Sequence, residues 1–316
     1  MRYYKSGSSR DPDILAFGYI LRQPFGVVAG EIRPPQLALL EAMPYTPLFV
    51  DSGAFGEIDS NLNVVKPITH SDWLNVLEVY ERLSRALGSA VTVVAPDMIG
   101  DQLNTLRRME KYAEDIYTCA CLGARILVPV QTGYVSASEF YSAALEALGA
   151  GDDPKYVPAI PMKRGATTVE DLAIFVSETR PTEVHLLGIG PKSKTFRSAM
   201  DACSGVKVTC DSNGMKALIG RKGRKPRPLT LALDKAEQWI NRSLGPKIAY
   251  AHGVEMMMEG ASSEEAGDRF AAWANTGYTD RGYTAHVWPM RGDILRKTKK
   301  TLAICEVYGD DYEHTT

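Results

Sequence analysis

Seven short apolar, β-rich runs alternate with helical patterns along the first two thirds of the chain, and that alternation leaves few folds open. The runs are Ile14 to Leu21, Leu48 to Asp51, Val91 to Asp97, Arg125 to Gln131, Tyr156 to Pro161, Glu183 to Ile189 and Lys207 to Asp211. Apolar strands separated by helices belong to parallel sheets, because each crossover lays a helix on the sheet and buries that face. Between the runs, Leu106, Met109, Ala113, Ile116 and Ala120 recur at steps of three and four, the stripe of one sheet-covering helix, with Gly123 as its stop. Trp73, Leu77, Tyr80, Leu83 and Leu87 form a second stripe, while Thr168 with Asp171, and Ser193, mark further helix starts.

Such an order fits either a (β/α)8 barrel or a doubly wound open sheet. A dinucleotide-binding sheet needs Gly-x-Gly-x-x-Gly after the first strand, and the sequence has none there. The expected architecture is therefore α/β, a (β/α)8 TIM barrel with extra C-terminal helices. The eighth strand has no clear candidate, since beyond Arg227 the pattern turns helical through Leu229 to Leu244 and again through Glu264 to Ala274. The chain length of 316 residues suits one large domain, expected to span 1–316 with a basic loop at about 216–228.

Hydrophobic residues make up 45% and charged residues 23%, which excludes disorder as the main state. No apolar run reaches the roughly 20 residues of a membrane span, and the polar stretch from Met1 to Pro12 lacks a signal h-region. A cytoplasmic protein with no membrane partner is expected. Five cysteines without a regular framework read as reduced thiols. Cys119 and Cys121 lie inside a helical stripe with no second pair at zinc spacing, so neither a metal nor another cofactor is expected.

Barrel enzymes keep their chemistry at the C-terminal ends of the strands. Four runs end there in polar groups, Asp51, Asp97, Gln131 and Asp211. Carboxylates and an amide in those positions accept hydrogen bonds from ring N–H and amino groups and supply a donor for a carbonyl, the set a guanine-like base requires. Gly188-Ile189-Gly190-Pro191-Lys192-Ser193 has Pro where a phosphate-binding Walker loop has Gly, which argues against a nucleoside triphosphate. The formal net charge of −2 argues against a uniformly basic surface, yet Lys216, Arg221, Lys222, Arg224, Lys225 and Arg227 crowd into one stretch without an acid. Placed just beyond Asp211, they are expected to hold nucleic-acid phosphates.

Five segments together resemble the tRNA-guanine transglycosylase superfamily, most closely its DpdA-type 7-deazaguanine DNA transglycosylases. They are Asp51-Ser52-Gly53-Ala54-Phe55, Pro96-Asp97, Val130-Gln131, His185 to Gly190, and Val208-Thr209-Cys210-Asp211-Ser212, in family order. The resemblance implies Asp211 as nucleophile on C1′ of a sugar and Asp51 as acid/base. It implies Asp97, Gln131 and Ser52 as base-recognition residues and Gly188 and Gly190 as pocket lining. By the same resemblance the reaction exchanges guanine in DNA for a free 7-deazaguanine base through a covalent aspartyl-glycosyl intermediate, in a bacterial or phage-infected cell. The zinc signature of the tRNA enzymes has no counterpart, only Cys305 and His314 lying near this end, which favours DNA over tRNA. Three other readings stand beside it: a tRNA-guanine transglycosylase acting on tRNA, a barrel nucleoside or glycoside hydrolase using the same carboxylates, and a non-catalytic nucleic-acid binder. His185, within an apolar strand, reads as a satisfied core residue, and the oligomeric state has no sequence signal.

Overall fold

The computed structural model describes residues 1–43, 45–59, 64–162, 166–213 and Lys297. Eight parallel strands close into a barrel in chain order. They are β1 (Arg2–Lys5), β2 (Phe25–Val28), β3 (Leu48–Asp51), β4 (Val91–Val94), β5 (Arg125–Pro129), β6 (Tyr156–Pro161), β7 (Glu183–Leu187) and β8 (Lys207–Ser212). Closure comes from β8 returning to β1 in the register Arg2↔Thr209 to Lys5↔Ser212. The helices are α1 (Asp11–Ile14), α2 (Pro34–Glu41), α3 (His70–Leu87), α4 (Gln102–Lys111), α5 (Ala113–Cys121), α6 (Ala137–Ala147), α7 (Val169–Thr179) and α8 (Phe196–Ala202). The expected (β/α)8 barrel is the fold observed. The expected C-terminal helices lie outside the described residues.

Two strands replace the one sought beyond Arg227. Strand β1 is four residues with a cation at each end, and β2 is broken by Gly26, so neither shows the apolar run that marks a buried strand. The run Ile14 to Leu21, expected as a strand, is helical instead: α1 continues into a wide π-helical turn over Leu15–Leu21. A short continuous apolar run cannot be told from a buried helix by periodicity. The deciding signal lay upstream, where Asp11 and Asp13 fill the first turn and Asp13, 1% exposed, pairs with Arg10 at 2.8 Å. The stripe from Leu106 to Ala120 is likewise two helices, α4 and α5, parted at Tyr112, whose φ of −114° and ψ of 19° leave the helical range.

Side chains sort by strand alternation into two cores. Tyr4, Phe49, Val94, Leu127, Val157 and Ala159 fill the barrel interior. The opposite faces, including Tyr3, Val50, Val93, Ile126 and Leu186, pack against the helices. At the N-terminal rim Glu183 is clasped by Arg125 and, at 2.8 Å, by Lys207, so the floor of the barrel is closed by charge pairs between the first residues of three strands. Thr168 starts α7 with a reciprocal cap: its hydroxyl accepts from Asp171 N–H at 3.0 Å and its own N–H donates to the Asp171 carboxylate at 3.3 Å. Ser193 caps nothing; α8 begins after Thr195 without a side-chain cap.

Gly26 lets the barrel pack tightly on this side. A Cβ there would lie 2.7 Å from Phe49 Cδ1, 2.8 Å from Ser6 Oγ and 3.2 Å from the Ser6 backbone. Gly26→Ala is expected to cost about 1–3 kcal/mol through overpacking. Urea denaturation checks this, and an unchanged midpoint would show that the interior has slack.

Candidate active site

The C-terminal strand ends hold two polar groupings. The first is built on Asp211, 7% exposed, at the end of β8. Its Oδ2 accepts from Ser6 Oγ at 2.7 Å and its Oδ1 from the Gly188 N–H at 2.8 Å, while His185 Nε2 lies 3.4 Å from Oδ1. His185 is itself held, with Nδ1 2.8 Å from Thr209 Oγ1 and the ring stacked on Phe49 at 5.4 Å between centroids. A carboxylate only accepts, so a neutral imidazole facing it carries its proton on Nε2 and takes the Thr209 hydroxyl proton as a hydrogen bond at Nδ1. Three elements, the β1 end, β7 and the loop after it, thus orient one carboxylate.

Gly188 donates from a backbone with φ +72°, the left-handed region that glycine enters at least cost. Gly190 serves close approach, because a Cβ there would lie 2.5 Å from Ser212 Oγ and 3.2 Å from the Tyr3 ring. Ser212 Oγ is also 2.8 Å from Tyr3 OH, which ties the β7–α8 loop, β8 and β1 into one rim.

The second grouping surrounds Asp97. Asp51 ends β3, and its Oδ1 accepts from Gly53 N–H at 3.1 Å; Ser52, 2% exposed, accepts from Ala54 N–H at 3.2 Å. Asp-Ser-Gly-Ala is thus a pair of overlapping side-chain turns that launch a 3-10 turn over Ala54–Glu57. That turn carries Glu57 inward to 1% exposure, where both its oxygens pair with Arg108 of α4 at 2.6 and 2.8 Å. Glu57 also accepts from Ile68 N–H at 2.6 Å, and Arg108 donates to the Asp97 carbonyl at 2.5 Å. Burial first, and then the charge of Asp51, push the Asp97 carboxyl up to about 7, against the pull of Arg108. Asp97 therefore holds a proton to neutral pH.

Gln131, 6% exposed, uses its amide within the protein. Its Oε1 accepts from Gly100 N–H at 2.8 Å and its Nε2 donates to Met98 O at 3.0 Å and Thr105 Oγ1 at 3.1 Å, so it pins the loop between β4 and α4 that carries Asp97. Asp101, and not Asp97, caps α4, accepting from Asn104 N–H at 2.9 Å. The cluster Lys216, Arg221, Lys222, Arg224, Lys225 and Arg227 lies outside the described residues.

Sequence reasoning missed Ser6, Glu57 and Arg108, and read His185 as core alone. Glu57 had a signal, a lone carboxylate in the apolar setting Ala54-Phe55-Gly56-Glu57-Ile58. Ser6 had none, because β1 went unseen. The neighbouring thiol offers no nucleophile, since burial pushes Cys210 up to about 12. Among the described residues no group of three or more His, Cys, Asp or Glu is placed to hold a metal ion.

No protein-family model and no curated protein matches this chain. Solved structures with a similar fold include a protein assigned as a fructose-1,6-biphosphate aldolase from Coccidioides immitis, at 13% identity, covering 99% of this chain and 90% of the other, with a TM-score of 0.44. N-acetylneuraminate lyase from Mycoplasma synoviae matches at 10% identity over 98% and 97%, with a TM-score of 0.43. The sialic acid aldolase of Ruminococcus gnavus matches at 13% identity over 89% and 93%, with a TM-score of 0.35. These neighbours are aldolases and lyases, and they correct the reading of the sequence as a tRNA-guanine or DpdA-type transglycosylase. The glycosyltransferase activity, the exchange of guanine in DNA or tRNA and the hydrolase alternative are withdrawn with it. The five segments were each short, and Asp-Ser-Gly recurs in many turns because of the side-chain bonds described above. Likeness at this level is a likeness of barrels, and it brings none of the neighbours' chemistry to this chain.

Proposed function

We propose that the protein is an enzyme that moves protons to and from a small polar substrate at the C-terminal mouth of the barrel, with Asp97 as the acid and Asp211 as an oriented acceptor. The observation that carries this reading is the Asp97 carboxyl, buried beside Asp51 and raised to about 7, where a general acid and its conjugate base are both populated in neutral solution. Asp211 supports it in a different way. Held by Ser6, Gly188 and His185, its carboxylate has a fixed direction without the entropy cost of ordering it at each turnover. Asp51 tunes Asp97 by charge, and Gln131 with Arg108 fixes the backbone on which Asp97 sits.

Solvent exchange tests the proposal. Small oxo and hydroxy compounds, with and without a phosphate group, are incubated with the protein in D2O, and proton NMR follows the loss of C–H signal. A substrate that exchanges should do so with a pH dependence centred near 7, and Asp97→Asn and Asp211→Asn should each slow it by about 10²-fold or more. Exchange that persists undiminished in both variants would remove these residues from the chemistry.

A further inference from the structure

A cavity of about 350 Å³ opens between the start of α3 and the last turns of α4. It is lined by Arg107, Arg108 and Lys111 and by the rings of His70, Trp73 and Tyr112. Among the described residues, Arg108 is compensated by Glu57, whereas Arg107 and Lys111 form no ion pair. Arg107 donates to Asn104 Oδ1 at 3.4 Å and acts on the Asp101 carboxylate only through its charge, without a contact. The two stand four residues apart on one helix, an arrangement of like charges that disfavours the helix unless something offsets it. The favourable interaction of cations with the C-terminal end of a helix offsets part of the repulsion. It does not account for a cavity walled in addition by flat rings. There His70 and Tyr112 stack at 5.9 Å and 17°, with His70 Nδ1 2.9 Å from Tyr112 OH, and Lys111 Nζ lies 5.1 Å from the Tyr112 ring centroid.

We propose that this cavity binds a small phosphate monoester, whose dianion sits between Arg107 and Lys111 and whose organic part lies against the rings of His70 and Tyr112. Two cations without an ion-pair partner among the described residues match the charge of nearly −2 that a phosphate monoester carries at neutral pH, and a single carboxylate would match half of it. The guanidinium of Arg107 offers paired donors to phosphate oxygens, and the Lys111 ammonium, on its flexible stem, offers a point charge. The volume lies in the lower range of small-ligand sites. The site stands apart from the acid–base reading and does not depend on it.

Glycerol 3-phosphate, inorganic phosphate and a single-stranded DNA dodecamer are titrated into the full-length protein by calorimetry. Saturable binding of glycerol 3-phosphate is expected, and replacing Arg107→Ala with Lys111→Ala should weaken it by about tenfold or more. Arg85→Ala with Lys155→Ala, which removes the same charge elsewhere, should leave it unchanged, as should Asp97→Asn. Arg107 and Lys111 are exposed, so their loss leaves the core intact, and thermal melting of both double variants verifies that. The proposal is overturned by absence of saturable binding of glycerol 3-phosphate, by equal loss in the two double variants, or by tighter binding of the dodecamer, which would make the surface one for a polymer.

Discussion

Asp97→Asn is expected to stabilise the protein at pH 8 and to leave it nearly unchanged at pH 4. In the fold, Asp97 keeps its proton up to about 7, while in the unfolded chain it releases it near the ordinary aspartate value of 3.8. Between those values the folded state binds more protons than the unfolded one, so stability falls as pH rises. Above pH 7 both states are ionised and the fold bears the full cost of a buried carboxylate beside Asp51. That cost is on the order of 2–4 kcal/mol, and an amide of the same shape avoids it. Urea denaturation of wild type and variant at intervals from pH 4 to pH 8 reads the difference. Two curves running parallel would mean that Asp97 titrates as an ordinary carboxyl. The same substitution should abolish the proton transfer assigned to it, so stability gained with activity lost marks a residue kept for chemistry.

Glu57→Gln is expected to destabilise the protein by about 3–5 kcal/mol at neutral pH. Glu57 is 1% exposed and offers both oxygens to Arg108, whose side chain is 16% exposed. Removing the negative charge leaves a guanidinium with little access to water and no counter-charge. The loss reaches Asp97 as well, because Arg108 holds the Asp97 carbonyl. Pairing the change with Arg108→Met removes both charges and should recover much of the loss. Denaturant midpoints for the two single variants and the double one form the cycle. A loss under about 1 kcal/mol in Glu57→Gln would place the pair among ordinary surface salt bridges.

The barrel was legible because central parallel strands such as β3 and β6 are buried on both faces and read as apolar runs. Where the rule failed, burial was bought by other means. In β1, Lys5 is 2% exposed with its ammonium 5.9 and 5.8 Å from the Tyr3 and Phe17 rings, a cation in a place the alternation reserves for apolar residues. In β2, Gly26 packs by having no side chain at all. The site was legible where a carboxylate ends a strand, as at Asp51 and Asp211, since position alone marks it. The roles were not. Gln131 looked like a ligand group and is consumed by the loop of Asp97, while His185 looked like core and also touches Asp211. Neither difference has a trace in spacing, because both depend on partners more than twenty residues away.

The proposed proton transfer depends on the Asp97 carboxyl, and carbon-13 NMR of protein labelled at the aspartate carboxyl carbons measures it directly, the Asp97 signal being the one lost in Asp97→Asn. The predicted result is a midpoint near 7 that falls in Asp51→Asn, where the neighbouring charge is removed. A midpoint of about 4 in the wild-type protein, the usual value for an aspartate, would contradict it.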